Sequence, residues 1–271
     1  MVLRRVGGRC ERGGRRAARH RKSGYLEAER VGCPRVSASL VYLKTRKIPD
    51  LFWNLYVCRP VAAVVVDALK DTKVTPNQVT LSAVFVAVAS AVMLVTLPGY
   101  RGLVAAIVVF QLSYVLDCVD GMLARWRGIQ STPGHLLDFL MDEIKAFVVL
   151  AAVAVRLFLD RQDHRFLLLG LGGLVALASG IALTTFLRRP EIAGPRPDGS
   201  GVTAPAAPPS PVRRAIGLVE RVAKFLIHYP SYILYAALAG HIEYYFYPYI
   251  AVNAVYALRA FAGVALRFGR A

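Results

Sequence analysis

Long apolar stretches alternate with polar or basic connections over most of the chain. A helix needs about 20 apolar residues to cross the hydrocarbon core of a bilayer, and stretches of that length recur here. The predicted spans are 78–98, 101–123, 136–159, 165–187, 222–240 and 244–266. The fifth is the weakest because its first half is amphipathic and a proline interrupts it. The pattern predicts an all-α polytopic membrane protein with six transmembrane helices.

The region before the first span has a different character. Residues 48–74 mix aromatic, apolar and charged side chains, which predicts an amino-terminal interfacial helix. Thr75 is predicted to cap the first span, with Pro76 at its first helical position, where proline is well tolerated. The domain that follows covers 75–268 and includes a flexible, proline-rich loop at 188–214.

Composition and charge agree with a membrane location. Of the 271 residues 56% are hydrophobic, and the formal net charge is +17. Residues 1–47 are predicted to form a disordered basic tail, and Lys and Arg recur in the 188–214 loop and at the carboxyl end. The positive-inside rule predicts that both termini and the aspartates described below lie on the cytoplasmic side, and we expect a multi-pass protein of the cell (inner) membrane. Nucleic-acid binding is the alternative for the charge, but no base-reading module accompanies it.

The segment DCVDGMLARWRGIQSTPGHLLDFLMD carries four aspartates where two predicted spans meet. They are Asp117, Asp120, Asp138 and Asp142. Carboxylates at the edge of hydrocarbon are costly unless a cation neutralises them, so they indicate function. Hard oxygen ligands favour Mg²⁺ or Mn²⁺ over zinc.

Helical spacing sorts these aspartates into two pairs. Asp117 and Asp120 share one helix face with two small residues that leave space for a ligand. The small residues are Gly121 and Ala124. Asp138 and Asp142 are four residues apart, so they stack one turn above the other on the next helix. We expect both pairs to face a common space, where one or two divalent cations would relieve their repulsion.

Basic groups accompany both pairs. Arg125 lies at the edge of the first face and supplies a forked donor suited to phosphate. Lys145 continues the second face one turn deeper. Regular structure is predicted to end at Gly128 and Pro133, and the next helix is predicted to begin after Gly134.

Other interpretations of this segment explain less of it. Helix-end aspartates paired with Arg125, Arg127 and Lys145 would account for neither the one-face spacing nor the small residues. An ion-conducting site would not require an arginine at the cytoplasmic edge. The four cysteines show no spacing typical of pairing or metal binding, and Cys118 is interpreted as a packing residue because no histidine would activate it.

This segment also resembles the signature of the CDP-alcohol phosphatidyltransferase family. The signature reads D-x-x-D-G-x-x-A-R and then, after a gap, G-x-x-x-D-x-x-x-D. Every position is filled, by Asp117, Asp120, Gly121, Ala124, Arg125, Gly134, Asp138 and Asp142. Pro76, Asn77 and Thr80 match the family's P-N-x-x-T entry to the first span. The resemblance covers roughly 50–268 and extends to the six spans.

The resemblance implies transfer of a substituted phosphoryl group from a CDP-linked donor to an alcohol, with release of CMP. Asp117, Asp120 and Asp138 would bind metal, and Asp142 would bind metal and act as base toward the acceptor hydroxyl. The implied donor contacts are Asn77, Thr80, Gly121, Ala124, Arg125, Ser131 and Gly134. A homodimer is also implied. Two Mg²⁺ or Mn²⁺ ions would spread the charge that develops during transfer.

The acceptor is the least constrained part of the prediction. Arg188 and Arg189 follow the fourth span, where family members that use phosphorylated alcohols carry basic residues. They and Lys145 are therefore expected acceptor contacts, although arginines at this place also suit membrane-interface anchors. Lys224 and His228 are further candidates.

The expected reaction is phosphatidyl transfer from CDP-diacylglycerol to an alcohol, such as inositol phosphate or glycerol phosphate. The enzymatic alternative is an aminoalcohol phosphotransferase that uses a small CDP-alcohol and diacylglycerol. The alternative of another class is a cation-binding membrane protein without transferase activity. Membrane lipids are expected partners of all three, and nucleic acid of none.

Overall fold

The computed structural model describes residues 34–47, 50, 53–193 and 229–269, and these residues contain helices and turns but no strands. A π-helical turn, Asn54–Cys58, leads into the second helix. The helices are α1 Pro34–Thr45, α2 Arg59–Leu69, α3 Pro76–Thr96, α4 Gly99–Arg127, α5 Thr132–Arg161, α6 Arg165–Leu187, α7 Pro190–Ala193, α8 Tyr229–Leu238 and α9 Glu243–Phe268. The all-α prediction is confirmed for this part of the chain.

Four helices of the described residues are long and apolar enough to cross a membrane: α3, α4, α6 and α9. They coincide with the first, second, fourth and sixth predicted spans. The helix α5 covers the third predicted span, but Asp142, Glu143, Lys145 and Arg156 interrupt its apolar stretch. The fifth predicted span is described only from residue 229 onward, where α8 has 10 residues.

The start of α3 has the predicted cap. Thr75 N–H donates to Gln78 Oε1 at 2.9 Å, and Gln78 N–H donates to Thr75 Oγ1 at 3.3 Å. This reciprocal pair is a capping box, with Pro76 at the first helical position. The cap fixes the start of α3, whose first two turns carry the predicted donor contacts Asn77 and Thr80.

The turn between α4 and α5 differs from the prediction at one end. Gly128 ends α4 with φ of +67°, a conformation that glycine adopts without strain. The helix α5 begins at Thr132 rather than after Gly134, because Gly134 N–H donates to Ser131 Oγ at 3.2 Å and Ser131 caps the helix. Pro133 lies in the first turn, where its missing N–H removes no helical hydrogen bond.

The chain divides into two compact units. The first comprises residues 1–82 and 114–138, and the second comprises residues 83–113 and 139–271. In the first unit α1 packs into an apolar core in which Val41 is fully buried. This helix falls in the region predicted as a disordered tail, so residues 34–45 of that region are helical instead. Residues 1–33 of that region lie outside the described residues.

In the second unit a buried arginine closes the turn between α3 and α4. Arg156 is 3% exposed and donates to the carbonyl oxygens of Leu94 at 3.1 Å, Leu97 at 2.5 Å and Gly99 at 2.8 Å. Its Nε also pairs with the Asp160 carboxylate at 2.6 Å. The contacts with Leu94 and Leu97 satisfy carbonyls at the carboxyl end of α3, where a helix leaves its last carbonyls without intrahelical partners.

Candidate active site

Three of the four predicted metal ligands converge in the first unit. One carboxylate oxygen from each of Asp117, Asp120 and Asp138 lies within 4.8 Å of the other two. Asp120 is buried and the other two are partly buried. Carboxylates held this close repel one another unless a cation is shared between them. An all-oxygen, anionic donor set fits a hard divalent ion such as Mg²⁺ or Mn²⁺.

Thr80 orients the most buried of these carboxylates. Its hydroxyl is within hydrogen-bonding distance of the Asp120 carboxylate and of the Pro76 carbonyl, the latter at 3.1 Å. The hydroxyl has a single proton, and the charged carboxylate is the stronger acceptor. Thr80 is predicted to contact the CDP-linked donor, and in the structure its hydroxyl contacts the carboxylate of Asp120, a predicted metal ligand.

A pocket of about 350 Å³ opens at this acidic group. Asp120 and Asp138 line it. All predicted donor contacts line it too, namely Asn77, Thr80, Gly121, Ala124, Arg125, Ser131 and Gly134. The acidic group and the residues expected to bind the nucleotide donor therefore share one cavity within the first unit.

Two signature glycines, Gly121 and Gly134, line this pocket. A Cβ added at Gly134 would lie 3.0 Å from Ser131 Oγ and 3.6 Å from Asn77 Oδ1. A Cβ added at Gly121 would lie 3.4 Å from Arg125 Nη1. A side chain at Gly134 would therefore crowd the Ser131 hydroxyl, whereas a Cβ at Gly121 would be in ordinary van der Waals contact with the Arg125 guanidinium.

The arginines at the end of α4 are anchored by backbone carbonyls. Arg125 Nε donates to the carbonyl oxygen of Thr45, at the end of α1, at 2.7 Å. Because the carboxyl end of a helix is partially negative, it suits a guanidinium. Arg127 donates to the carbonyl oxygens of Leu69, Lys70, Thr72 and Val74. These contacts hold the connection before α3 and fix the orientation of Arg125.

The fourth predicted ligand, Asp142, lies in the second unit. Its side chain is 51% exposed, and Oδ1 pairs at 2.6 Å with Nζ of Lys145, whose side chain is 4% exposed. This is the one aspartate–lysine pairing that the helix-end interpretation required. The acidic group found among the described residues comprises the other three aspartates. The roles of Asp142 as ligand and base remain predictions.

The predicted acceptor contacts also belong to the second unit. Arg188 and Arg189 are exposed just after α6. Lys145 is buried against Asp142 as described above. Lys224 and His228 lie outside the described residues. An acceptor role for these residues remains a prediction.

Several neighbours of the site are not among the residues predicted from the sequence. Ile129, Gln130 and His135 line the pocket because they flank the turn between α4 and α5. Cys58 and Cys118 are both buried, and their thiols are in hydrogen-bonding contact although the residues belong to different elements. The three pocket residues could have been predicted from their position at the turn. The contact between the two cysteines could not, because no spacing along the chain indicates it.

The described residues define a helical protein with membrane-length apolar helices and an acidic pocket suited to a divalent cation. The sequence profile of the CDP-alcohol phosphatidyltransferase family matches residues 73–242, more than half of the chain. The chain belongs to that family, which confirms the resemblance seen in the signature. No curated protein matches it. Members of the family use a CDP-alcohol donor, an alcohol acceptor and divalent metals, and the acidic group fits this chemistry.

Proposed function

We propose that the protein transfers a phosphatidyl group from CDP-diacylglycerol to an alcohol and releases CMP. One observation carries the proposal: the carboxylates of Asp117, Asp120 and Asp138 converge, and two of them line the same pocket as the expected donor contacts. Family membership supports the CDP-linked donor. The apolar helices support a lipid substrate, since acyl chains can stay in hydrocarbon while the nucleotide remains in water.

In the proposed reaction the acceptor hydroxyl oxygen forms a bond to the phosphorus of the phosphatidyl group. The bond from that phosphorus to the bridging oxygen breaks, and CMP leaves with its electron pair. The hydroxyl proton passes to the carboxylate of Asp142, acting as general base. The transfer is direct, without a covalent enzyme intermediate.

The side chains around the pocket have complementary tasks in this proposal. Asp117, Asp120 and Asp138 would hold divalent ions, with Asp142, one helical turn after Asp138, as a fourth ligand for a two-ion site. When bound, such ions supply positive charge for the transferring phosphoryl group and for the leaving CMP. Arg125 donates to phosphate oxygens, for which its forked geometry is suited.

We also propose six spans in the inner membrane, with both termini and the site on the cytoplasmic side. The concentration of Lys and Arg in the connections at that side supports this orientation. A homodimer is proposed from family membership.

A direct test incubates membranes containing the protein with labelled CDP-diacylglycerol and a panel of alcohols. We expect CMP release and a matching new phospholipid with one of the alcohols, both abolished by EDTA. Absence of CMP with every alcohol, while divalent ions still bind, would contradict an enzymatic function. Product formation only from CDP-choline or CDP-ethanolamine with diacylglycerol would indicate the aminoalcohol phosphotransferase instead.

For a phosphorylated acceptor, Arg188→Ala and Arg189→Ala should each raise the acceptor KM by about tenfold, the order of one charge-assisted hydrogen bond. The donor KM and kcat should change little, because these exposed guanidiniums lie outside the donor pocket. Initial-rate kinetics with each substrate varied in turn measures this. Arg101→Ala, which removes an exposed arginine near the start of α4, is the matched control. Equal effects on donor and acceptor KM would argue against an acceptor role.

A further inference from the structure

Arg59 is a buried cation of the first unit that lies outside both the signature and the matched residues 73–242. It begins α2 and is 7% exposed. Its Nε donates to Asp50 Oδ2. Asp50 Oδ1 accepts from Asn54 Nδ2 at 3.2 Å, and Asn54 Oδ1 accepts from the Tyr114 hydroxyl at 2.6 Å. This series of contacts fixes the plane of the guanidinium.

One nitrogen of this oriented guanidinium is buried without an acceptor. In the part of the chain that the structure describes, Arg59 Nη1 has no hydrogen-bond partner. A purely structural arginine directs such groups to carbonyls, as Arg127 does. Since a buried N–H without an acceptor is costly, Nη1 requires an oxygen from outside the described residues, which a bound ligand can supply.

The surrounding charge indicates that this ligand is an anion. Arg59 is close enough to Arg125 for their charges to interact, and the carboxylates of Asp50 and Asp120 act on Arg125 as well. Asp50 is engaged by Arg59 Nε and Asn54, whereas Asp120 belongs to the acidic group. Two neighbouring guanidiniums, one buried at Arg59 and one partly buried at Arg125, repel each other, and phosphate oxygens would relieve that repulsion. The forked donors of arginine match phosphate geometry.

We propose that Arg59 is a further donor-binding residue, which donates from Nη1 to the diphosphate of the CDP-alcohol beside Arg125. This inference rests on the proposed function, because it requires a CDP-linked donor. The donor diphosphate is favoured over a phosphate on the acceptor because Arg125 lines the pocket together with the donor contacts. The segment before α3 then contributes to substrate binding as well as to packing.

Titration of the detergent-solubilised full-length protein with CDP and, separately, with cytidine in the presence of Mg²⁺ tests the contact. Arg59→Gln should weaken CDP binding by about tenfold or more, the equivalent of one charge-assisted hydrogen bond. Cytidine carries no phosphate, so its affinity should stay at the wild-type value. Arg59→Lys keeps the charge but not the paired donors of the guanidinium, and it should restore part of the CDP affinity. The lysine variant also keeps the test valid if the glutamine variant folds poorly.

Lys73→Gln is the matched control, since it removes an exposed positive charge of the same unit and should leave both affinities unchanged. Unchanged CDP affinity in Arg59→Gln, equal losses for CDP and cytidine, or an effect on the acceptor KM alone would each overturn the proposal. The proposed function is judged separately, by CMP release from CDP-diacylglycerol in the wild-type protein. The two can therefore fail independently.

Discussion

Asp142→Asn is expected to lower kcat by about 1,000-fold, within the range for loss of a general base. Asparagine keeps the size of the side chain but cannot take the proton of the acceptor hydroxyl. Donor binding should be largely retained, because the expected donor contacts belong to the pocket of the first unit. Measurement of CMP release at saturating substrates, together with CDP titration, separates turnover from binding.

Asp142→Asn also breaks the ion pair with Lys145, and a loss of stability from that change would itself lower activity. A matched variant separates this effect from the loss of the base. Asp160 in the same helix is 45% exposed and pairs with buried Arg156, so Asp160→Asn removes an equivalent charge from an equivalent pair. We expect similar small decreases in Tm for both variants, but a loss of turnover only for Asp142→Asn. Comparable turnover in the two variants would remove Asp142 as the base.

Asp120→Asn should have the second large effect. It should change Tm, and the sign of the change should depend on whether divalent metal is present. Without divalent ions the variant should melt at a higher temperature than wild type, because one of three converging charges is gone while Thr80 keeps an acceptor. With metal the order should reverse. Mutation of a residue that only hydrogen-bonds to a metal ligand weakens metal binding by about 10- to 100-fold. Loss of a ligand itself should weaken it at least as much.

Thermal unfolding in EDTA and in Mg²⁺ or Mn²⁺ measures both effects. At a metal concentration 100 times the wild-type Kd, binding stabilises the wild type by about 2.7 kcal/mol, but a hundredfold weaker variant by only about 0.4 kcal/mol. Asp71→Asn, at an exposed position of the same unit, should behave like wild type. An Asp120→Asn protein with an undiminished metal-dependent rise in Tm would refute the metal site.

The parts of the site that were predictable are encoded locally. Asp117 and Asp120 belong to one helix face, and Thr75 is the residue type that caps a helix before proline, so spacing and residue chemistry suffice. The start of α5 was wrong because Pro133 was interpreted as a break. Ser131, two residues before it, was the available signal for a helix that begins earlier.

The unpredicted parts depend on contacts between segments distant in sequence. In the sequence Arg59 is an ordinary charged residue of a predicted interfacial helix. Only the folded structure places Asp50 and Tyr114 near it. The contact between Cys58 and Cys118 has the same origin, because α2 packs on α4 through apolar residues that could pair in many registers. Charge and hydropathy determine that such helices form, but not which side chains meet.

The length of α4 has a consequence for how water reaches the chemistry. Its 29 residues extend over roughly 43 Å, whereas the hydrocarbon core is about 30 Å thick. A span that enters at Gly99 therefore overhangs the core by about 13 Å, more than two turns, and this overhang carries Asp120 and Arg125. In the proposed function this excess length gives α4 a rigid extension beyond the bilayer, on which a water-soluble nucleotide would be bound at the depth of lipid headgroups.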